Sequence, residues 1–346
     1  MLINKRSPHG GDIYTNSVKL DFSANINPSG MPDAVGMAIK AAVENCEAYP
    51  DPYCTELRQK IAEYERVPMD CILCGNGAAD MIYAYAYALP KNRPALIISP
   101  TFSEYGQALS AAGITVEHYV MKESDRFRLT EEFLYTDFSK YCAVFLCSPN
   151  NPTGITVKPE IICGILHSGV RLFCDFCFLD LTDAPEKYDI PVLLQTYPNL
   201  TILRAFTKSY AMAGVRLGYA MSAGADFLAA MSEKTQCWNV STLAQAAGIA
   251  ALDCADWLKE SVRYISAERR YLTEKITQLG IRVYPGEANY LLLYSKVDIA
   301  DKLIARGIMV RDCSNYIGLG KGYIRIAVRT REENDLLLTE LYEVLK

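Results

Sequence analysis

Four stretches of the chain are short, continuous and apolar, and each stops at polar or turn residues: ALIISP (95–100), CAVFLCSP (142–149), VRLFCDFCF (170–178) and NLTILRAF (199–206). Runs without alternation predict strands covered on both faces. Between them, TELRQKIAEYERV (55–67) and the stretch after Gly77 place apolar residues at helical spacing. Helix and strand alternating over short connections predict an α/β fold around a mostly parallel sheet. From about Ser241 the pattern changes. Two long helical stretches, 251–280 and 331–346, flank the runs IRVYP, ANYLLLYS, IMVRDC and GYIRIAVR. This predicts a smaller α+β domain over 241–346 after a large domain over 31–240, with residues 1–30 as an arm that contributes to the small domain and the active site.

Half of the 346 residues are hydrophobic, enough for a large core. A net charge of −5 provides no basic face for nucleic acid, so the expected partner is a small molecule, and any anion must meet local arginines. No run is long enough to span a membrane and MLINKRSPHGGD has no apolar signal core, so a cytoplasmic location is expected. The twelve cysteines then read as reduced thiols. Cys71/Cys74 and Cys174/Cys177 have zinc-like spacing. Both pairs lie in strand-like runs, where residues three apart point to opposite faces, so no metal is expected.

In open α/β sheets the ligand sits beyond the carboxyl ends of the strands, which makes the residues there the candidate chemistry. The turn Gly75-Asn76-Gly77 opens a helix whose free N–H groups at Ala78 and Ala79 can take a phosphate, unless it is only a turn. Phe102 can stack on a ligand ring or pack in the core. Asn151, in SPNNPTG, can orient a ligand oxygen or serve turn chemistry alone. Asp175 is an acid in an apolar run and needs a cation, either an internal arginine or the protonated ring nitrogen of a cofactor. Lys208 follows its strand directly. Desolvated there, its amine loses part of its preference for the charged form and can attack an aldehyde. Arg216 lies eight residues on, beside Gly214 and Gly218.

The string T-K-S-x-x-x-x-G-x-R-x-G-Y, from Thr207 to Tyr219, resembles the cofactor-lysine motif of fold-type I pyridoxal-phosphate (PLP) enzymes. With G-N-G, P-T-F, N-N-P-T-G and Asp175 in order, essentially the whole chain is similar to the aminotransferase class I/II family. The resemblance implies the PLP-dependent transferase fold, with a mostly parallel seven-stranded sheet and a smaller C-terminal domain. It implies PLP carried covalently by Lys208, with its phosphate on Arg216, Thr207 and the Gly77-Ala78-Ala79 turn. The ring would lie near Phe102 and Phe178, with its nitrogen on Asp175. Asn151 would touch the phenolic oxygen and the substrate carboxylate. Tyr49 would reach the cofactor phosphate of a partner subunit, which implies a homodimer with shared sites.

Within that family, His9-Gly10-Gly11, the segment LDFSANINP (20–28) and the C-terminal arginines resemble the branch of threonine-phosphate decarboxylases of cobalamin biosynthesis, related to histidinol-phosphate aminotransferases. That implies Arg325 on the substrate α-carboxylate, and Arg311, His9 and Asn25 on a substrate phosphate. Read from the residues alone, two arginines fourteen apart on adjacent strand-like segments suit a substrate with two anionic ends, and surface ion pairing is the other reading. The implied reaction is decarboxylation of O-phospho-L-threonine. Transamination of histidinol phosphate, decarboxylation of O-phosphoserine and a non-catalytic PLP-fold protein stand as alternatives. The chain departs from the family at Asp175-Phe176-Cys177-Phe178, where Asp-Glu-Ala-Phe or -Tyr is usual, and at Ala205, where a phosphate-binding hydroxyl is common. His118 and His167 carry no motif and read as structural.

Overall fold

The structure is a computed structural model that describes residues 9–14 and 18–346. Residues 1–8 and 15–17 of the expected arm lie outside the described residues. A two-residue strand, β1 (Leu20–Asp21), comes first. Then β2 (Ile72–Gly75), β3 (Ala95–Ser99), β4 (Val116–Val120), β5 (Ala143–Cys147), β6 (Arg171–Asp175), β7 (Leu200–Ala205) and β8 (Gly218–Met221) form a seven-stranded sheet in the order β2-β8-β7-β6-β5-β3-β4. β8 runs against both neighbours, and the other pairings are parallel. The apolar runs announce the central strands. β4 and β8 escape that reading, one because it is an exposed edge with polar positions, the other because it is only four residues long.

The pleat explains why the central strands are apolar throughout. In β5, Val144 and Leu146 enter one hydrophobic cluster while Phe145 and Cys147 enter the other, and in β6 Leu172 and Cys174 are set against Phe173 in the same way. Helices Ala78–Ala88 and Glu104–Ala111 cover the second face with Met81, Tyr85 and Tyr105, and Pro159–His167 covers the first with Ile161 and Ile165. Each of these side chains contributes about 1.5–3 kcal/mol by leaving water.

The run VRLFCDFCF does not stay extended to its end. β6 stops at Asp175, and the backbone turns back so that the Cys177 N–H donates to Asp175 Oδ1 at 2.9 Å. Cys177 is therefore off the strand, and Cys71 lies in the 3-10 turn Met69–Cys71. The opposite-face argument for the two cysteine pairs thus fails at one member of each. All twelve cysteines are free thiols.

Beyond Ser241, helix Thr242–Leu252 packs against helices Asp33–Ala42 and Thr55–Glu65, and Ala255–Gln278 leads to the second sheet. Here β9 (Arg282–Val283), β10 (Tyr290–Tyr294), β12 (Arg311–Asp312) and β13 (Tyr323–Ala327) form an antiparallel sheet in the order β12-β13-β10-β9, and β11 (Ile308–Met309) lies outside it. The expected strand IMVRDC breaks at Val310: β11 pairs in parallel with β1, and β12 turns to β13. Helix Arg331–Leu345 closes the domain behind a capping box of Thr330 and Glu333. The segment after β1 is stitched into this domain at both sides, because the Phe22 N–H donates to Met309 O and the Ala327 N–H to Phe22 O, each at 2.8 Å. Ser23 to Asn25 are thereby aimed at the strand ends of the large sheet.

Candidate active site

Where β5, β6 and β7 end, a cavity of about 250 Å³ separates the large sheet from the β1 segment and the C-terminal strands. Lys208 projects into it from the short helical turn Phe206–Ser209 that follows β7 directly. The turn is pinned from outside, with the Asn27 N–H donating to Lys208 O at 3.2 Å and the Asn27 side chain to Ser209 O at 2.8 Å. Burial pushes the Lys208 amine down from 10.5 to about 8, and repulsion from Arg325 and, more weakly, Arg216 acts the same way. At neutral pH an appreciable fraction of it is the free amine that attack on an aldehyde requires.

Asp175, 6 % exposed, closes the floor. Its carboxylate accepts from the Tyr105 hydroxyl at 2.6 Å and from the Cys177 N–H at 2.9 Å. Burial raises its pKa, and the Cys177 thiol, the Tyr105 hydroxyl and the Cys177 N–H oppose the rise. No Lys, Arg or His among the described residues lies within 4.0 Å of it; the internal arginine, Arg204, instead pairs with Glu65 at 3.0 Å and Asp180 at 2.6 Å. The internal-arginine reading of Asp175 is thereby removed. The carboxylate faces the cavity and suits a cationic ring nitrogen.

On one side, the cavity wall is an anion cradle. Helix Ala78–Ala88 starts there with no side chain capping it, so its first N–H groups are open. Thr207 and Arg216 stand beside Ala78 and Ala79. Gly77, at φ +81°, lies behind the guanidinium rather than in the wall, and a Cβ there would come within 2.5 Å of Arg216 Nη2. Arg216 itself sits at φ +62°, a strained backbone for an arginine. Open N–H groups, a guanidinium and a hydroxyl fit the phosphate of PLP, as Lys208 fits its aldehyde and Asp175 its ring nitrogen.

Facing this half is a second cluster of charge. Arg311 and Arg325, fourteen apart in sequence, are direct cross-strand partners on β12 and β13 and are 6 % and 5 % exposed. Like charges opposed in an antiparallel pair repel, and burial sharpens the cost. Arg325 donates to Asn151 Oδ1 and Ser23 O, yet among the described residues its Nε has no partner, nor does the buried Asn25 Oδ1. Arg311 is held by Asn315 at 2.9 Å and stacks 4.9 Å from the Tyr316 ring centroid. His9 stands at the mouth, its Nε2 2.8 Å from Glu104 Oε1 and its ring 5.7 Å from that of Phe102. Gly10 keeps it there, since a Cβ would lie 2.3 Å from Ser23 O.

Of the residues given a catalytic, cofactor or substrate role in the sequence, all line this cavity except Gly77 and Tyr49. Tyr49 lies elsewhere, 79 % exposed and stacked on Trp238 at 4.4 Å between ring centroids. Sequence reasoning gave no role to Tyr105, Ser23, Cys147, Cys177 or Tyr316, which also line the cavity. Tyr105 had a signal, an aromatic three residues after Phe102 at the start of a helix. Ser23 had none, because it acts through its carbonyl.

The family model for aminotransferase class I and II matches residues 17–341. The chain belongs to the class I and II aminotransferases. Threonine-phosphate decarboxylase of Salmonella typhimurium is 35% identical over 98% of this chain and 97% of its own. Among solved structures, the histidinol-phosphate aminotransferase from Clostridium acetobutylicum has a TM-score of 0.89 at 28% identity, covering 94% of this chain and 99% of that one. L-threonine-O-3-phosphate decarboxylase from Porphyromonas gingivalis has a TM-score of 0.83 at 25% identity, with the same coverage. Class I and II aminotransferases are PLP-dependent, so this chain is a PLP-dependent enzyme, a lyase or an aminotransferase. No helix among its described residues is long and apolar enough to cross a membrane.

Proposed function

We propose that the protein decarboxylates O-phospho-L-threonine to 1-aminopropan-2-ol phosphate, as a step toward cobalamin. The observation that carries this reading is the buried cross-strand pair Arg311 and Arg325, two guanidiniums facing one cavity, which calls for a substrate with two anionic ends. The 35% identity to a threonine-phosphate decarboxylase over nearly the full length of both chains supports the same substrate.

In this reading Arg325, anchored by Asn151 and Ser23 O, takes the α-carboxylate, and Arg311 takes the phosphate with His9 and Asn25. Bound PLP supplies an electron sink for the pair released at Cα. The bond from Cα to the carboxylate breaks, CO₂ leaves, and Lys208 Nζ returns a proton to Cα. Asp175 keeps the ring nitrogen protonated, and Tyr105 keeps Asp175 in place. Clamping both ends of the substrate fixes its turn about Cα, and that turn selects which bond breaks. Tyr49, exposed and stacked on Trp238, is the residue we assign to a partner subunit's cofactor phosphate, in a homodimer with shared sites.

Histidinol-phosphate transamination is the second reading, favoured by the 0.89 TM-score to such an enzyme. The test incubates PLP-loaded protein with O-phospho-L-threonine, without any oxo acid, and follows CO₂ and the amine. Release that vanishes in Lys208→Ala supports the decarboxylase. No release, with amino transfer once histidinol phosphate and 2-oxoglutarate are supplied, replaces it by the aminotransferase.

A further inference from the structure

On the far side of Phe102 and Arg311 from Lys208 lies a second compartment of about 190 Å³, unused by the reaction above. Its walls are the end of β3, the first turn of helix Glu104–Ala111 and the segment Arg311 to Ile317. Three observations give it the chemistry of an anion site. Thr101 is 8 % exposed, and its buried hydroxyl, which has no partner among the described residues, belongs to this wall. Native proteins rarely leave such a group unsatisfied.

The second observation is the helix itself. Ser103 at its N-cap makes no capping bond, so the first-turn N–H groups are open at the positive end of the helix dipole. Gly106 leaves that turn bare, because a Cβ there would meet nothing nearer than Ile97 Cδ1 at 3.9 Å. Arg311 is the third. It lines both this compartment and the active-site cavity and is steadied by Asn315 at 2.9 Å. Glu104 is the acid of this turn, and its carboxylate is engaged by His9 on the active-site side. Ser99 Oγ, 2.9 Å from His118 Nδ1, completes the outer wall.

We propose that this compartment is a second oxyanion subsite, in which a phosphate or carboxylate group sits between the first-turn N–H groups of helix Glu104–Ala111, the Thr101 hydroxyl and the Arg311 guanidinium. The proposal rests on the reading of Arg311 as an anion-binding residue. Its ligand is either the terminal oxyanion of the substrate, swung past Arg311, or a separate inorganic phosphate that shares that guanidinium with the substrate.

Calorimetric titration of the PLP-loaded protein with inorganic phosphate, at constant ionic strength, tests it. Two sites are expected. Thr101→Val, which keeps the shape and removes the hydroxyl, weakens one of them about tenfold, the loss of a hydrogen bond to a charged group. Its Tm is unchanged or higher, since the valine has no hydroxyl to bury; a purely structural threonine would give the opposite. Gly106→Ala, whose methyl covers the open N–H groups, weakens the same site, while Asn25→Ala weakens the other. Phosphate isotherms of Thr101→Val and Gly106→Ala that superimpose on the parent overturn the proposal. A raised KM for O-phospho-L-threonine in the two variants identifies the substrate's own phosphate as the ligand; an unchanged KM with weakened phosphate binding identifies a separate anion. The titration needs no turnover, so a protein that releases no CO₂ yet binds phosphate in this pattern refutes the decarboxylase and keeps the subsite.

Discussion

The two halves of the cavity are built on opposite principles. The Lys208–Asp175 half stands on the ends of neighbouring parallel strands, and its supporting groups are engaged: Tyr105 and Cys177 N–H on Asp175, Asn27 on the lysine turn. In the Arg311–Arg325 half, residues from the two ends of the chain come together, with Arg325 reaching Ser23 O across 302 residues. It opposes two buried guanidiniums and leaves Arg325 Nε and Asn25 Oδ1 without partners among the described residues. In one half the carboxylate and the lysine turn are already supported, while the other leaves buried polar groups that, in the proposed reading, a dianionic substrate would complete. A site that binds a cofactor durably and a substrate briefly gains from that division, because relief of repulsion is then reserved for the substrate.

Removing the lysine is the harshest test of the first half. Lys208→Ala is expected to lower turnover by at least about a thousandfold and to abolish the adduct that borohydride fixes on the parent protein, read by peptide mass. Lys208→Met in the cofactor-free chain isolates the cost of burying the amine. The folded pKa of about 8 lies below the unfolded value, so the unfolded chain binds more protons between roughly pH 8 and 10.5. The stability contributed by Lys208 therefore rises through that window and is absent below pH 8. At pH 7 the methionine variant is expected to be more stable by about 3 kcal/mol, with the gap narrowing as pH rises. A gap independent of pH would mean that the amine is not desolvated.

Arg325→Ala reaches both halves. Loss of the carboxylate partner is expected to reduce kcat/KM by about two orders of magnitude. Arg325 also helps to hold the Lys208 pKa down, second only to burial. In the parent, capture of PLP by the cofactor-free chain is expected to accelerate with pH and level off above about pH 8, and in the variant the plateau should move to higher pH. Stopped-flow absorbance across pH measures both curves, and superimposable profiles would show that the halves are electrostatically independent.

Within the first half, Tyr105→Phe removes one of two donors to Asp175 and leaves the ring in its aromatic cluster with Phe145 and Phe173. A loss of about 1–3 kcal/mol in stability is expected from the stranded buried carboxylate. Turnover should fall about tenfold, and bound PLP, which presents a cation to the same carboxylate, should restore most of the stability. Thermal melts with and without PLP decide whether Tyr105 serves Asp175 or only fills space.

This contrast also explains what could be read from the chain. The first half was legible because each strand is a continuous apolar run and its chemistry follows within a few residues, so Asp175, Asn151 and Lys208 could be placed at strand ends from sequence. The second half depends on register. That Arg311 and Arg325 face each other needs the break at Val310, where β11 leaves for β1 and β12 turns to β13, and nothing in IMVRDC marks it. The strand drawn through Phe178 was too long for a related reason: the Asp175 carboxylate folds the backbone back on itself, a local bond that apolar patterning does not register. Tyr49 is outside the cavity and exposed, and the role we assign it requires a second chain, which neither pattern nor register records.

The smallest expected effect lies where the chain departs from its family. Phe178 occupies a position where a phenol is common, and its ring lies edge-on to Tyr290, 5.0 Å between centroids. The Tyr290 hydroxyl is already committed to Asn150 O at 3.0 Å, so it cannot substitute for the missing oxygen. In the proposed reading, Asn151, whose Oδ1 is engaged by Arg325 and Tyr316, would be the polar side chain that meets the phenolic oxygen of PLP. Phe178→Tyr adds a donor beside it and should alter kcat by no more than about threefold. It should also shift the pH at which the absorbance of the bound cofactor changes, since a donor to the ionised phenol favours that form. If the shift appears with turnover unchanged, Phe178 is a tolerated loss in the satisfied half. A larger gain in turnover would mean that the cofactor half, too, is incomplete in this chain, and that the difference between the halves is one of degree.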